Sequence, residues 1–406
     1  MLLSFTVSNF RSIADKQTLN LRPSKKKPRY IFLNEGVADL GPAKGLKVKV
    51  VYGANGSGKS NLIQALAVFR HVVIKSLNDE QSLSAVDPYQ LNNLGEKQPT
   101  SFEIDFVLFG EVHSYGFTTD RSIITKEWLR VTGPKARKCF TREKDSIRVN
   151  EKDYPQLQRV LNVSEDGESL IRPNALFLSF AAVVNVKLMQ GIRDLLQDVK
   201  IIASHVNTES LQRYAIERIK QESIRARMIT LLRQADIQID DISVHRQPFS
   251  EKEKIYVTHR HTTQTEGEPN KTVWVVENES IGTQRMIYLA PVIIEALMNG
   301  STLVVDEFES QLHTKLSAAI VEMFNTNDAN PNNAQLIVAT HDTNLLSAGI
   351  LRRDQIAFVD KDEDKKSSVY SLSDFTGVRN DERYEKSYLG GGYDGLPNIG
   401  RLKLAV

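Results

Sequence analysis

The spacing of apolar positions changes several times along the chain, and each change marks an element. Residues 2–7 alternate as a short strand, with Thr18-Leu19-Asn20-Leu21 as its hairpin partner. A β-branched run (Val48, Val50, Val51) leads into a turn with three glycines, and Leu62, Ile63, Ala65, Leu66, Ala67 and Phe69 then recur at helical spacing over about 59–76. Period-two alternation returns at 101–108, around Tyr115-Gly116-Phe117 and at 123–131, with Gly110 at a turn, which predicts an antiparallel sheet. Residues 132–170 are charged and weakly patterned, reading as hairpin and loop.

From about 185 to 235 apolar residues fall three and four apart with many Arg and Lys between them. This predicts a helical arm or lid, or equally an ordinary packed helical subdomain. The heptad is not sustained over enough turns for a long coiled coil. Strands follow at 242–246, 254–259 and 271–276, then a helix at 283–298 and the apolar strand Leu303-Val304-Val305. A helix at 313–325, a strand at 334–339, a short helix at 343–348 and a strand at 355–359 complete the pattern. Alternating strands and helices with fully apolar strands predict an α/β fold, a mostly parallel sheet covered on both faces. The expected divisions are 1–84, an antiparallel β lobe at 85–180, the helical insertion at 181–240, and 241–406 completing the parallel sheet.

The chemistry begins at Gly53-Ala54-Asn55-Gly56-Ser57-Gly58-Lys59-Ser60-Asn61, a G-x-x-x-x-G-K-S sequence between strand and helix. In that context the glycines let backbone N–H groups face phosphate oxygens, and the helix N-terminus adds positive partial charge. Asn55 to Asn61 are therefore candidate nucleotide contacts; Lys59 would reach the β- and γ-phosphates and the Ser60 hydroxyl would hold Mg²⁺. The strand 303–305 ends in Asp306-Glu307, at the edge where α/β sheets place ligands. Asp306 suits Mg²⁺ and Glu307 suits orienting an attacking water. His341, in Thr340-His341-Asp342 after the next strand, shares that edge and can contact a γ-phosphate. Glu279-Ser280-Ile281-Gly282-Thr283-Gln284 opens a helix that Ser280 or Thr283 can cap; its exposed N–H groups offer a second anion site, and on local pattern alone a plain capped helix start is an equal reading.

Composition narrows the setting. At 406 residues, 41% hydrophobic and 25% charged, the chain is globular and long enough for two or three domains. A net charge of +2 gives no overall case for nucleic acid, although Lys25-Lys26-Lys27-Pro28-Arg29 is a local basic run. One cysteine, Cys139, excludes an internal disulfide and fits a reducing cytosol; no signal peptide or membrane span is expected, so the expected location is cytoplasmic. His245, His259 and His261 on neighbouring strands are a metal candidate, with a polar sheet face the better reading.

Taken together, P-loop, S-x-G helix start, strand-D-E and strand-T-H resemble the motif order of ABC-type ATPase heads. The chain looks most like the RloA-like AAA-domain ATPases, related to the OLD nucleases, and is more distantly similar to SMC heads. Phe5-Thr6-Val7-Ser8-Asn9-Phe10-Arg11-Ser12, Arg172-Pro173-Asn174-Ala175-Leu176-Phe177-Leu178-Ser179 and Tyr388-Leu389-Gly390-Gly391-Gly392-Tyr393 also match. The resemblance implies an ABC-type P-loop NTPase head that hydrolyses ATP with Mg²⁺. It places Ser280 and Gly282 on the γ-phosphate of ATP held by a second subunit, residues 308–312 along the dimer seam, and Gln90 in the Q-loop. It further implies a homodimer or higher oligomer, and a separate Toprim-like nuclease effector in an anti-phage defence system. Ile281 and Thr283 depart from the transporter-type signature, standing at its first glycine and its glutamine. No long coiled coil with a hook or hinge joins the two halves, and with the last strand so near Val406 a Toprim domain is not expected in this sequence. The competing expectation is a stand-alone DNA-binding repair ATPase using 25–27 and the Arg-rich helix 213–233. A transporter ATPase ranks last.

Overall fold

The computed structural model describes residues 1–26, 28–91, 98–161, 171–203, 208–246, 252–261, 270–379 and 382–397. Lys27 of the basic run and the side chain of His261 lie outside the described residues.

The central element is a six-stranded sheet. Its strands are β5 (Val48–Tyr52), β11 (Lys200–Ile202), β15 (Thr302–Val305), β16 (Gln335–Ala339), β17 (Ile356–Lys361) and β18 (Ser367–Ser371), in the order β11-β15-β16-β5-β17-β18. All neighbours are parallel except β17 and β18. The expectation that the P-loop strand joins the C-terminal strands in one sheet is met, because β5 sits between β16 and β17.

A second, wholly antiparallel sheet of seven strands comprises β1 (Leu2–Ser8), β2 (Gln17–Asn20), β6 (Thr100–Leu108), β7 (Glu111–Thr119), β8 (Ile124–Thr132), β9 (Arg137–Glu143) and β10 (Ser146–Val149). The antiparallel lobe is thus not confined to 85–180: β1 pairs with β6 and carries β2 at its other edge. Two smaller sheets are the pair β3 (Val37–Asp39) and β4 (Lys44–Leu46), and the trio β12 (Asp241–Arg246), β13 (Glu253–His261) and β14 (Asn270–Val275).

The helices are α1 (Lys59–Lys75), α2 (Pro155–Leu161), α3 (Phe177–Val183), α4 (Lys187–Gln197), α5 (Thr208–Ile219), α6 (Glu222–Gln234), α7 (Ile281–Asn299), α8 (Thr314–Asn325), α9 (Asn344–Ser347) and α10 (Tyr384–Leu389). Period-two exposure of the parallel sheet splits its apolar side chains between two cores. Val51, Val304, Ile337, Ala339 and Val359 face α1 and the antiparallel sheet, whereas Val50, Val305, Val338 and Phe358 face the other core, which takes in α5 to α8. In the first core Phe69 of α1 stacks on Phe117 with centroids 5.6 Å apart and lies within 6.2 Å of Phe102, locking the P-loop helix onto the antiparallel sheet.

The helical stretch at 181–240 is not a projecting arm. Met189, Ile192 and Leu196 of α4 are buried in the first core, and Ala215, Ile216, Met228 and Leu232 of α5 and α6 in the second. β11, between α4 and α5, pairs in parallel with β15 and becomes the edge of the central sheet. The apolar spacing that suggests a lid is used up in these packed cores. Helix α7 is long and apolar enough to cross a bilayer by length and composition, yet it packs against α5, α6 and β15.

Candidate functional site

Three strand ends converge because of register. Val51 of β5 is level with Ala339 of β16, and Val338 is level with Val305 of β15, so the segments after all three strands open at one edge. The P-loop, Asp306-Glu307 and His341 therefore meet there. They line a cavity of about 200 Å³ bounded by Asn55, Gly56, Gly58, Lys59, Ser60, Asn61, Asp306, Glu307, Ala339 and His341.

The loop needs its glycines at two points. Gly53 (φ +153°) and Gly58 (φ +115°) lie where a side chain is disfavoured, and a Cβ would strike the Val359 carbonyl oxygen at the first and Ser367 Oγ at the second. Ser367 of β18 donates to the Ser57 carbonyl oxygen, its Oγ is 2.7 Å from Ser12 Oγ, and Ser12 Oγ accepts from Asn61 Nδ2 at 2.7 Å. The loop is thus braced from the N-terminal turn and from the last strand of the sheet. Neither brace was named as a site residue, although Ser12 lies in the matched opening segment.

Lys59 is buried, and its Nζ donates to the carbonyl oxygens of Gly53 (2.9 Å) and Ala54 (3.1 Å). Burial pulls its pKa down to about 8, against the opposing pull of Asp306, Glu309 and Glu307. Ser57 Oγ is buried with no hydrogen-bond partner. An orphaned hydroxyl, a buried cation and the unpaired N–H groups of the first turn of α1 suit phosphate oxygens. Three carboxylates act on one ammonium, so a bare triphosphate would meet net negative charge. A divalent cation arriving with it removes that obstacle, and the exposed Ser60 hydroxyl with the Asp306 carboxylate supplies the hard oxygen donors Mg²⁺ takes.

Asp306 is only 3% exposed; its backbone N–H donates to Ile202 O of β11 at 2.8 Å, and its Oδ1 accepts from the Glu307 N–H at 3.2 Å. Glu307 is exposed and left-handed (φ +50°), a strained backbone for a residue with a Cβ. Glu309, which the resemblance places along the dimer seam, also makes contacts within the chain. Its Oε2 accepts from Thr340 Oγ1 at 2.6 Å and its Oε1 from the His341 N–H at 2.8 Å, clamping the end of β16 to the segment after β15. The His341 imidazole is exposed, and its pKa is lowered by desolvation first and by Lys59 second, which favours the neutral ring.

Gln90 does not line this cavity, and neither do Ser280 and Gly282, which the resemblance assigns to the nucleotide of a second subunit. Gln90 is exposed, donates from Nε2 to Asp87 Oδ1 at 2.9 Å, and is not among the lining residues. Ser280 and Gly282 are also not among the lining residues: Ser280 is exposed and caps α7, accepting from the Thr283 N–H at 3.1 Å, and a Cβ on Gly282 would lie 2.9 Å from Gln311 O. Of the histidine trio, His259 bonds Glu279 Oε1 and His245 bonds Ser243 Oγ, so each of these is engaged with a neighbour.

The family described as "AAA domain, putative AbiEii toxin, Type IV TA system" matches residues 48–347. Among solved structures the chain is similar to the SMC head domain from Thermotoga maritima, at 15% identity and a TM-score of 0.41, covering 91% of this chain and 98% of that one. It is similar also to an SMC head bound to the C-terminal winged-helix domain of ScpA (14% identity, TM-score 0.38, 91% and 97% covered). An SMC head with an extended coiled coil, bound to the C-terminal domain of ScpA derived from Pyrococcus furiosus, gives 13% identity, a TM-score of 0.38 and coverage of 91% and 96%. No curated protein matches the chain.

Removing the one buried cation of the cavity gives the simplest check. Lys59→Ala is expected to weaken binding of a fluorescent ATP analogue by about 10- to 100-fold, the worth of a charged hydrogen bond, with the melting temperature nearly unchanged.

Proposed function

The chain belongs to the AAA-domain family described as putative AbiEii toxin of a type IV toxin–antitoxin system, and from that premise we propose that it is an ABC-type ATPase whose site is completed by a second subunit. One observation carries the reading: Lys59, Ser60, Asp306, Glu307 and His341 share one open cavity, while the capped start of α7 stands outside it, with Ser280 and Ile281 exposed and Gly282 half-buried. Each chain then offers half of two sites, an arrangement that closes on itself in a two-fold dimer.

In this reading the N–H groups at the start of α1 and the Lys59 ammonium hold the β- and γ-phosphates. Ser60 and Asp306 would hold Mg²⁺, which would neutralise charge on the phosphate oxygens. Glu307, turned toward the cavity by its left-handed backbone, orients a water for in-line attack and draws on its proton. A neutral His341 offers the γ-phosphate a hydrogen bond, and Glu309 fixes the backbone from which it acts. Ser280 and the N–H groups near Gly282 reach the same γ-phosphate from the opposing subunit, so that ATP joins two heads and hydrolysis parts them.

The finer role we propose is that of the sensor ATPase of a defence system of the RloA-like kind, controlling a separate Toprim-like nuclease. The motif order supports it, as does the family description, which names a toxin–antitoxin system and hence a second component. Stand-alone DNA binding draws less support. Arg218, Arg225 and Arg233 are paired with Glu295, Glu222 and Asp240, and Lys26 Nζ is spent on the carbonyl oxygens of Ser373 (2.6 Å) and Phe375 (3.1 Å).

Glu307→Gln is expected to slow turnover by two orders of magnitude or about that and to trap a dimer or larger species with Mg-ATP. Light scattering during size exclusion reads this directly, and an unchanged mass contradicts the shared site. Affinity purification of the tagged chain from its native host, followed by mass spectrometry, tests the effector: a nuclease in stoichiometric amount is expected, and a chain that emerges alone removes that part of the reading.

A further inference from the structure

The residue just before the Ser280 turn is tied to a different part of the molecule. Glu279 Oε1 accepts from Trp274 Nε1 at 2.7 Å and from His259 Nε2 at 2.8 Å, both on the three-stranded sheet β12–β14. The two donor rings stack with centroids 4.5 Å apart, so the carboxylate meets a preassembled pair of N–H groups. On the helix side, Gln284 Nε2 donates to the Glu279 carbonyl oxygen at 2.8 Å, and Ser280 Oγ accepts from the Thr283 N–H.

These contacts do two different jobs. The Ser280 cap fixes the internal shape of the turn, since both of its partners belong to the same helix start. It does not fix where that turn stands in the molecule. The Glu279 side chain reaches out of the turn to β13 and β14. The helix behind it is held by α5 and α6, Ile281 in its first turn is 63% exposed, and the apolar anchor just before the turn is the fully buried Val276, whose carbonyl oxygen accepts from the Glu279 N–H.

We propose that Glu279, gripped by His259 and Trp274, is the positioning residue for the Ser280–Gly282 turn, so that the β12–β14 sheet aligns the half of the site each chain presents to its partner's nucleotide. The inference rests on the shared-site reading above. Glu279 does not touch nucleotide; it acts through Ser280 and Gly282. A carboxylate that serves only the local fold would affect both halves of the chain alike, whereas a positioning role confines the defect to the half offered in trans.

Mixing variants separates these cases. Glu279→Ala is expected to bind a fluorescent ATP analogue as wild type does, because its own P-loop is intact, yet to lose at least about tenfold in turnover through misalignment. Glu279→Gln keeps an accepting oxygen and should recover much of that loss. Lys59→Ala has the opposite defect, a ruined P-loop with an intact Ser280 turn. An equal mixture of Glu279→Ala and Lys59→Ala should regain up to about a quarter of wild-type turnover, since random pairing makes half the dimers mixed and each has one intact site of two. The inference is overturned if Glu279→Ala turns over like wild type. It is equally overturned if the mixture stays inactive while a control mixture of Ser280→Arg with Lys59→Ala recovers. If the control mixture also stays inactive, the shared-site reading itself fails.

Discussion

The register of one strand governs the chemistry of this chain. β5 lies between β16 and β17 with all five residues buried, and its pairing sets Val51 level with Ala339. The P-loop, Asp306-Glu307 and His341 meet only because three separate segments stop on that line. The strand resists slippage in a specific way. Lys49 is fully buried and places its Nζ 2.6 Å from Asp354 O, while burial lowers its pKa to about 8. Moved by one residue, that ammonium would lose its acceptor and enter the opposite core, at the cost of an unpaired buried charge.

The cavity at the end of β5 is poised in its charges and its backbone. Lys59 sits under three carboxylates, His341 is biased toward the neutral ring, and Glu307 holds a left-handed conformation. Glu309 gathers Thr340 and the His341 backbone across the gap between β15 and β16. Glu307 and His341 thus stand on two segments joined by one hydrogen-bonded bracket, and a shift of either strand is felt by both.

Local patterns carried the parts that could be read in the sequence. The P-loop, the carboxylate pair after an apolar strand and the Ser280 cap each declare themselves within a dozen residues, because their chemistry depends on backbone geometry set by near neighbours. What escaped depends on distant partners. β11 is three residues long and exists as a strand only by pairing with β15, about a hundred positions later. Glu309 looks like any acid after a strand until Thr340 folds against it, and Ser12 and Ser367 brace the loop from opposite ends of the chain. The helices at 181–240 stayed open between two readings for the same reason: their apolar faces could serve a lid or a core, and only the neighbouring elements decide. Gln90 comes from the resemblance alone, and its side chain donates to Asp87.

The account stands or falls on whether Ser280 of one chain meets the P-loop of another. Chains carrying Asn55→Cys and chains carrying Ser280→Cys, each in a Glu307→Gln background, can be mixed with Mg-ATP and a short bismaleimide. The native Cys139 is buried and out of reach of the reagent. The prediction is a cross-linked dimer that forms only in the mixture and only with nucleotide; a mixture that stays monomeric with Mg-ATP present contradicts it.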